Sequence, residues 1–271
     1  KSIPKANGKV RSLGIPTMTD RIVQASLKLV LEPIFEADFQ PSSYGFRPRR
    51  RAQDAIAEIH FYASRGYVQV FEADITACFD EIDHDALMQR VRARIIDKRV
   101  LRLIRGFLSA GVLSEDGVNR NTYTGTPQGG ILSPLLANIA LSVVDEHFQR
   151  KWEAYGSQWE RTKYQRAGGA TMKLVRYADD FVVLVRGSRA DAEALWDEVT
   201  KVLSPIGLRL SVEKTLVTHV DTGFDFLGWR IQRRRVRGHN GKTAIYTYPS
   251  QKSLASIRDK IRLLTRRASH R

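Results

Sequence analysis

The alternation of apolar and polar residues along the chain predicts a series of amphipathic helices. Between residues 20 and 35, apolar side chains stand at positions 22, 23, 27, 30, 31 and 34, which is the spacing of one helical face. Thr19 or Asp20 is suited to cap the start of this helix. Similar patterns predict helices at 52–64, 83–95, 99–109, 189–204 and 253–267, and a long helix after the Gly-Pro loop at 124–130.

Strands are predicted where β-branched and aromatic residues form short apolar runs. Residues 67–75 form one such run, and residues 173–177 and 181–185 form the two arms of a tight hairpin around Ala-Asp-Asp. Asn7-Gly8 predicts the turn of an edge hairpin over residues 1–16. Further strands are predicted at 208–212, 224–235 and 243–249. The fold class is therefore α+β with a mainly antiparallel sheet.

The composition says more about which class of partner the protein binds than about which fold it adopts. The 271 residues are 42% hydrophobic and 27% charged, which is ordinary for a globular protein, but the formal net charge is +15. Such a field attracts polyanions, usually nucleic acid, although a ribosomal-type protein or a membrane-surface binder has the same balance. No apolar run has the length of a membrane span, and no signal peptide is visible. The single cysteine, Cys78, excludes an internal disulfide, so we expect a cytoplasmic protein.

The basic charge is concentrated in two segments. Residues 230–271 contain thirteen Lys or Arg and one acid, Asp259, and residues 47–51 read RPRRR. Acidic pairs, by contrast, stand beside apolar strands in the middle of the chain. A basic rim around an acidic centre predicts a channel for a phosphate backbone with bound cations at its centre.

Carboxylates follow two of the predicted strands. Asp179 and Asp180 interrupt the apolar hairpin, and Asp74 closes the strand at 67–75. A solvated turn is the simpler interpretation of an Asp-Asp pair alone. Two strands that each end in aspartate, however, can bring these acids together, where they repel unless a cation lies between them. Magnesium prefers such hard oxygen ligands, so in a strongly basic chain the pattern predicts two-metal phosphoryl transfer to a 3′-hydroxyl.

Several segments resemble one enzyme family, in the same order along the chain. YADD at 177–180 resembles the catalytic motif of reverse transcriptases, and ADITACFDEI at 73–82 resembles their first-aspartate motif. TPQGGILSPLLANIAL is similar to their template-primer loop, especially in group II intron-encoded reverse transcriptases, the maturases. Other segments similar to that group are IPKANGKVRSLGIPT, DRIVQASLKLVLEPIFEADFQPSSYGFRPRR and DFLGW. The resemblance implies a right-hand polymerase with fingers and a mainly antiparallel palm sheet flanked by helices.

The resemblance also implies a metal centre and a catalytic lysine. Asp74 and Asp179 correspond to metal ligands, the carbonyl of Ile75 to a third ligand, and Asp180 to the adjacent acid that supports the metals. Two Mg²⁺ ions are the expected cofactor, and Mn²⁺ is an expected substitute. Lys214, in VEKT, corresponds to a residue that protonates the pyrophosphate leaving group, with a plain surface lysine as the alternative.

Contacts to the incoming nucleotide are implied as well. Lys5 and Arg11 correspond to fingers residues that grip the triphosphate, with a solvated hairpin as the alternative. Phe79 lies five residues after Asp74, where the family has an aromatic gate against the ribose 2′-hydroxyl; the alternative is a core phenylalanine. Further substrate contacts are implied at Gln128, Gly129 and Ala178.

Template and primer contacts are implied in three segments. Arg47 and Arg49 lie in and beside SSYGFRP, which corresponds to a template-facing loop of the fingers. FLGW corresponds to the primer grip, and the RRR run at 233–235 is expected to contact phosphates. The predicted nucleic-acid ligands are Arg47, Arg49, Gly130, Leu227, Gly228, Trp229 and Arg233.

The resemblance divides the chain into three parts. These are an incomplete fingers region at 1–66, a palm at 67–250 with fingers-contacting helices around 85–110, and the start of a thumb or connector at 251–271. The maturase X domain and any DNA-binding or endonuclease domain are expected outside this segment. The Gly-bearing stretch at 156–171 is expected to be a mobile loop.

The implied function is that of an RNA-directed DNA polymerase of a bacterial group II intron. Its expected partners are an RNA template, with intron RNA as the first candidate, a DNA or RNA primer, and dNTPs. A maturase that chiefly holds RNA for splicing is one alternative, and a domesticated CRISPR-associated or defence reverse transcriptase is another. No membrane partner is expected, and the oligomeric state is open, with a homodimer as one option.

Overall fold

A computed structural model describes residues 2–4, 10–12, 14–110, 112–113, 119–120, 124–126, 129–236, 238 and 241–265. The helices in this part of the chain are α1 (Met18–Glu36), α2 (Ala52–Ala63), α3 (Cys78–Glu81), α4 (His84–Arg92), α5 (Lys98–Ser109), α6 (Ser133–Ala154), α7 (Gln158–Arg166), α8 (Arg189–Glu193), α9 (Leu195–Leu203) and α10 (Gln251–Thr265). The strands are β1 (Ser2–Pro4), β2 (Val10–Ser12), β3 (Gln69–Ala73), β4 (Val112–Leu113), β5 (Asn119–Arg120), β6 (Thr171–Tyr177), β7 (Asp180–Arg186), β8 (Leu216–His219), β9 (Phe224–Phe226), β10 (Trp229–Arg235) and β11 (Thr243–Pro249). None of the described helices is long and apolar enough to cross a membrane.

The architecture is built around one four-stranded sheet. Its strands lie in the order β6-β7-β3-β8, and each neighbouring pair is antiparallel. A second antiparallel sheet has the order β11-β10-β9, and β1 pairs with β2 as the predicted edge hairpin. The α+β class and the mainly antiparallel sheet are therefore confirmed.

Both faces of this central sheet are covered. Along β7, Val183 and Val185 join one apolar cluster while Val182 and Leu184 join another, because successive side chains of a strand point to opposite faces. Helix α6 covers the first face, and α2 together with β9 and β10 covers the second. Burial on both faces explains why β7 is an unbroken apolar run in the sequence.

Several predicted boundaries differ from the structure. The N-cap of α1 is Thr17 rather than Thr19 or Asp20, because the Thr17 side chain accepts a hydrogen bond from the backbone N–H of Asp20. The helix predicted at 189–204 is divided at Ala194 into α8 and α9. The described backbone at 208–212 forms a single bridge, from Leu210 to Ile75, rather than a strand, and the strand in this region is β8.

The stretch predicted to be a mobile loop, 156–171, instead contains helix α7. Ser157 and Glu160 form a capping box at its start, in which each side chain accepts a hydrogen bond from the other residue's backbone N–H. Near its end, Tyr164 stacks on Tyr155 with ring centroids 5.9 Å apart. The prediction was wrong because α7 has no buried residues. Its sequence therefore lacks the regular spacing of apolar residues that indicates a helix.

Candidate active site

The hairpin between β6 and β7 carries the adjacent aspartates on a two-residue turn. Tyr177 pairs with Asp180, which leaves Ala178 and Asp179 as the turn residues. Ala178 has φ of 59°, a left-handed conformation that glycine usually provides in such turns. Holding another residue there costs roughly 1–3 kcal/mol. The surrounding contacts therefore have to hold this turn in shape.

Arg176, just before the turn, supplies these contacts. Its side chain and that of Asp145 on α6 are both 0% exposed. Nε and Nη2 of Arg176 donate hydrogen bonds to Oδ1 and Oδ2 of Asp145 at 2.8 and 2.5 Å. Nη1 donates to the carbonyl of Ala178 at 2.8 Å and to Oδ1 of Asn138 at 3.0 Å, and Nη2 also donates to Oγ of Ser43 at 2.7 Å. The guanidinium thus joins the turn to α6 and to the loop after α1.

The loop after α1 packs directly behind the turn. The backbone N–H of Arg176 donates to the carbonyl of Ser42, and the N–H of Tyr44 donates to the carbonyl of Arg176, both at 2.8 Å. A Cβ at Gly45 would overlap the backbone nitrogen of Ala178. Only glycine at this position lets the two backbones approach so closely.

Strand β3 carries Asp74 to the same end of the central sheet. Ala73 pairs with Phe181 on β7, so Asp74 lies beside the start of β7 and the hairpin turn. The bridge between Ile75 and Leu210 fixes the backbone on the other side of this segment. The structure thus brings the predicted first aspartate to the Asp-Asp turn.

Lys214 contacts the carboxylate of Asp74 directly. Its Nζ lies 3.2 Å from Oδ1 and 3.1 Å from Oδ2 of Asp74. The two side chains are 59% and 30% exposed, so water screens the pair and it contributes little to stability. Lys214 therefore belongs to the acidic centre rather than to a remote surface.

The carboxylates at this centre repel one another. Partial desolvation and the negative charges of Asp179 and Asp74 raise the pKa of Asp180 to about 6, and Lys214 opposes the shift. Burial, with a further contribution from Asp179, raises the pKa of the neighbouring Cys78 thiol to about 12, so this thiol stays protonated. A cation bound among the carboxylates would relieve their repulsion.

The donor set suits magnesium completed by a substrate rather than a closed protein cage. The described residues contain no group of three or more His, Cys, Asp or Glu side chains arranged to hold a metal. Magnesium, however, commonly uses one or two carboxylates and takes its other ligands from water and substrate phosphates. Asp74, Asp179 and Asp180 offer the hard oxygens. Two hydrogen bonds form the bridge between Ile75 and Leu210: the N–H of Thr76 donates to the carbonyl of Arg209 at 3.0 Å, and the carbonyl of Asp74 accepts from the N–H of Ser211 at 2.8 Å. The Ile75 carbonyl takes no part in this bridge.

Phe79 lies on α3, between the apolar core and the surface. Its half-buried ring packs against the larger apolar cluster. The same ring meets Phe46 edge-on, with centroids 6.4 Å apart. Phe46 itself is 48% exposed and has φ of 57°, so this pair borders open space. Phe79 is therefore not a fully buried core residue.

Several predicted substrate contacts lie at the edge of what the structure describes. Lys5 and Gln128 fall outside the described residues, and only the backbone of Arg11 is described, as part of β2. Gly129 has φ of 106°, and a Cβ on it would overlap a backbone carbonyl just before α1. Gly130 is buried. Gly129 thus occupies a site of close backbone approach.

The predicted primer grip is a tight hairpin turn between β9 and β10. Phe226 pairs with Trp229, which leaves Leu227 and Gly228 as turn residues with φ of 49° and 80°. Two positive φ values are those of a type I′ turn, in which a leucine is unusual. The carbonyl of Gly228 accepts a hydrogen bond from Oγ of Ser253 at 2.9 Å, which ties the turn to α10.

Arg47 was wrongly predicted to contact phosphates. Its side chain is 4% exposed, and its Nη2 lies 2.7 Å from Oε1 of Glu36. Its Nη1 donates to the carbonyls of Gln40 at 2.6 Å and Ser43 at 2.9 Å. Arg47 therefore organises the loop from inside. Arg49, two residues later, is exposed and stays a candidate phosphate ligand.

Arg233 is also engaged within the protein. Its Nε and Nη2 donate to Oδ1 and Oδ2 of Asp221 at 2.5 and 2.8 Å. Its neighbours Arg234 and Arg235 are both exposed, and Arg234 donates from Nη2 to the hydroxyl of Tyr248 at 2.5 Å. Arg233 therefore stays a predicted nucleic-acid ligand, with a guanidinium that is paired with a partly exposed carboxylate in this structure.

Sequence reasoning missed the polar network behind the turn. Its members are Arg176, Asp145, Asn138 and Ser43. A signal was present, since Asn138 and Asp145 stand two helical turns apart in a helix that is otherwise apolar there. Polar residues on a buried helical face need polar partners, and an arginine in a buried strand is the natural one.

Known proteins match this chain in sequence and in fold. Residues 3–231 match the family model for reverse transcriptase (RNA-dependent DNA polymerase). Protein YkfC of Escherichia coli K12 is 38% identical, over 93% of this chain and 70% of that protein. The group II intron-encoded protein LtrA of Lactococcus lactis is 34% identical, over 95% of this chain and 51% of that protein. A telomerase structure from Candida albicans, with a fragment of telomeric RNA, matches with a TM-score of 0.64 at 16% identity, over 98% of this chain and 49% of that one. The chain thus spans about half the length of the last two.

Replacing the buried Arg47 and the exposed Arg49 separately tests whether the first stabilises the loop and the second binds RNA. Arg47→Ala should lower the free energy of unfolding by roughly 1–3 kcal/mol, because it leaves the carboxylate and carbonyls of the loop without their donor. Arg49→Ala should leave stability unchanged and weaken RNA binding. Thermal melts and salt-dependent filter binding on both variants distinguish the two roles. Equal melting temperatures for the two variants would show that the internal contacts of Arg47 carry no stability.

Proposed function

Because the chain belongs to the reverse transcriptase family, the RNA-dependent DNA polymerases, we propose that it extends a primer with dNTPs along an RNA template. The observation that carries this proposal is the convergence of Asp74 with the turn at Asp179 and Asp180, at one end of the central sheet. In a chain with a net charge of +15, clustered acids repel the nucleic acid unless they hold cations.

In this proposal Asp74, Asp179, Asp180 and the carbonyl of Ile75 hold two Mg²⁺ ions, for which Mn²⁺ can substitute. Magnesium supplies charge neutralisation at the phosphates and makes the primer 3′-hydroxyl easier to deprotonate. The rigid hairpin keeps the carboxylates in one position throughout the cycle, so little reorganisation is needed when charge develops.

Lys214 has a separate role in the proposal. Its ammonium lies 3.1 Å from the carboxylate of Asp74 on a partly exposed, flexible side chain. A bound nucleotide would place its phosphates near this carboxylate, where the ammonium can hold the pyrophosphate and donate a proton to it. The residues proposed to contact the nucleotide are Phe79, Ala178, Lys5, Arg11, Gln128 and Gly129.

The template is proposed to be group II intron RNA, because LtrA is named a group II intron-encoded protein. In this division the fingers occupy 1–66, the palm 67–250 and the start of the thumb 251–271. Arg49, Gly130 and the turn at Leu227-Gly228, with Trp229, face template and primer. The bacterial relatives support a cytoplasmic location.

A splicing maturase that chiefly binds RNA is the second candidate function, and it is compatible with the first. It requires RNA affinity but no clustered acids, since acids oppose RNA binding. The three carboxylates therefore favour retained polymerase chemistry over RNA binding alone. A domesticated defence enzyme would keep the same acids, so the neighbouring genes distinguish that case.

Replacing Asp179 tests the metal centre. Asp179→Asn should reduce dNTP incorporation by more than the roughly 10–100-fold that outer-shell changes cost at metal sites, while RNA binding stays equal or becomes tighter. Primer extension on an RNA template, alongside filter binding, measures both. Asp197→Asn, an exposed acid on α9, is the control and should extend normally. Near-normal extension by Asp179→Asn would remove this residue from the mechanism.

Replacing Phe79 tests sugar selection. Phe79→Ala should raise ribonucleotide incorporation relative to deoxyribonucleotide incorporation, because a packed ring excludes the 2′-hydroxyl by steric clash. The matched control is Phe107→Ala, since Phe107 on α5 is also half-buried against the larger apolar cluster.

The readouts are kcat/KM for dCTP and CTP and a melting curve for each variant. A core role for Phe79 predicts a loss of up to roughly 3–5 kcal/mol of stability and a parallel loss with both nucleotides, as for the control. An unchanged preference between the two sugars would refute the gate.

A further inference from the structure

A cavity of about 280 Å³ lies at the end of the central sheet opposite the aspartates. Strand β7 begins at Asp180 and ends at Arg186, and Arg186 lines this cavity. Six residues of extended strand span roughly 20 Å, so the cavity is separate from the proposed catalytic centre. We refer to this cavity, bounded by α2, the segment before β3, α6, α7 and the end of β7, as the distal pocket.

Aromatic rings form much of the wall of the distal pocket. Phe61 and Tyr62 come from α2, Tyr67 from the segment before β3, and Trp152 from α6. Tyr62 and Trp152 meet edge-on with centroids 5.6 Å apart, and Tyr62 meets Tyr67 edge-on at 5.2 Å. The rings therefore hold one another at fixed angles around the opening.

Three arginines also line the distal pocket, beside the polar side chains of Gln158, Thr162 and Gln165 on α7, and they concentrate positive charge there. Arg65 lies 3.3 Å above the ring of Phe61, and Arg161 of α7 lies 4.4 Å above the ring of Trp152. Arg186 donates a hydrogen bond to the carbonyl of Arg65 at 3.3 Å. Planar guanidinium groups over aromatic faces offer both stacking surface and donors for an anion.

These arginines form no ion pair within the described part of the chain, although Glu160 lies close enough for Arg161 to lower the pKa of its carboxyl group. In the described residues, the side chains of these arginines donate hydrogen bonds to the backbone carbonyls of Phe61, Gly156 and Arg65. Their acceptors in this part of the chain are therefore uncharged. Carbonyls accept hydrogen bonds but carry no net charge, so the pocket retains its positive field. The nearby carboxylate of Glu58 pairs with Lys173 instead, at 3.6 Å.

We propose that the distal pocket binds one unstacked nucleotide of a single-stranded RNA segment that runs outside the catalytic cleft. The base would enter the aromatic cavity, and Arg65 and Arg186 at the exposed rim would bind the flanking phosphates. Base stacking on aromatic and guanidinium planes, with phosphate contacts alongside, is how proteins bind single-stranded RNA. The site goes beyond polymerase function, because it would anchor RNA that is not being copied.

An acidic protein segment is the competing occupant of a positive pocket. Charge alone attracts such a segment, and it gains nothing specific from four converging rings. A nucleotide uses both features of the pocket, the aromatic wall for its base and the arginines for its phosphates. The observations therefore favour RNA, and the test below separates the two.

The test removes the two exposed arginines and leaves the aromatic wall intact. Arg65→Ala/Arg186→Ala should weaken binding of a labelled single-stranded RNA about five-fold or more, with the cleft already occupied by a short primed template. The slope of log affinity against log salt should fall by about 0.7 for each phosphate that the variant no longer neutralises. Extension of the short primed template and the melting temperature should stay unchanged. The control Arg99→Ala/Arg102→Ala removes the same charge from exposed positions on α5.

Photo-crosslinking shows where the RNA binds, which a loss of affinity caused by the loss of positive charge cannot show. A 4-thiouridine RNA should crosslink to Tyr62, Tyr67 or Trp152, and the double variant should lose these crosslinks while the α5 control keeps them. Equal weakening by the variant and the control, or crosslinks only within the cleft, would overturn the proposal. So would competition by an acidic peptide for the pocket without any RNA crosslink there.

Discussion

The buried ion pair between Arg176 and Asp145 is the interaction on which the geometry of the aspartate turn depends. Removing two charges from water is costly, and only close pairing with full hydrogen bonding offsets that cost. Here each guanidinium donor has an acceptor, among Asp145, Asn138, Ser43 and the carbonyl of Ala178. The last of these contacts holds the turn residue that has the unfavourable backbone conformation.

This network connects three parts of the chain that are far apart in sequence. Helix α6 contributes Asp145 and Asn138, the loop after α1 contributes Ser43, and the β6–β7 hairpin contributes the arginine. The close approach of Gly45 to Ala178 adds a steric wall behind the turn. The carboxylates repel one another, and these contacts hold the backbone that carries them so that they cannot easily separate. Such rigidity is what a site needs if cations and phosphates are to bind in one geometry.

Much of the fold and the acidic centre could be predicted from the sequence. The spacing of apolar residues along helices and strands, and the aspartates at the ends of strands, can be recognised in short segments of the chain. The hairpin around Asp179 and the position of Asp74 after β3 follow from such patterns. The partners of arginines could not be predicted. Arg47 and Arg233 sit in basic runs like those that contact phosphates, yet each is bound by an acid distant in sequence. Arg176 was missed for the same reason, since only the folded chain brings Asp145 to it.

We infer that the ion pair positions the aspartate turn and does not merely stabilise the fold. Arg176→Met/Asp145→Leu replaces the pair with apolar side chains, a change that in other buried pairs is often neutral or stabilising. The most direct measurement compares its melting temperature with its kcat for primer extension. We expect a stable variant whose kcat falls sharply, because the Ala178 carbonyl has lost its donor. A variant that keeps both its stability and its kcat would show that the ion pair does not position the turn.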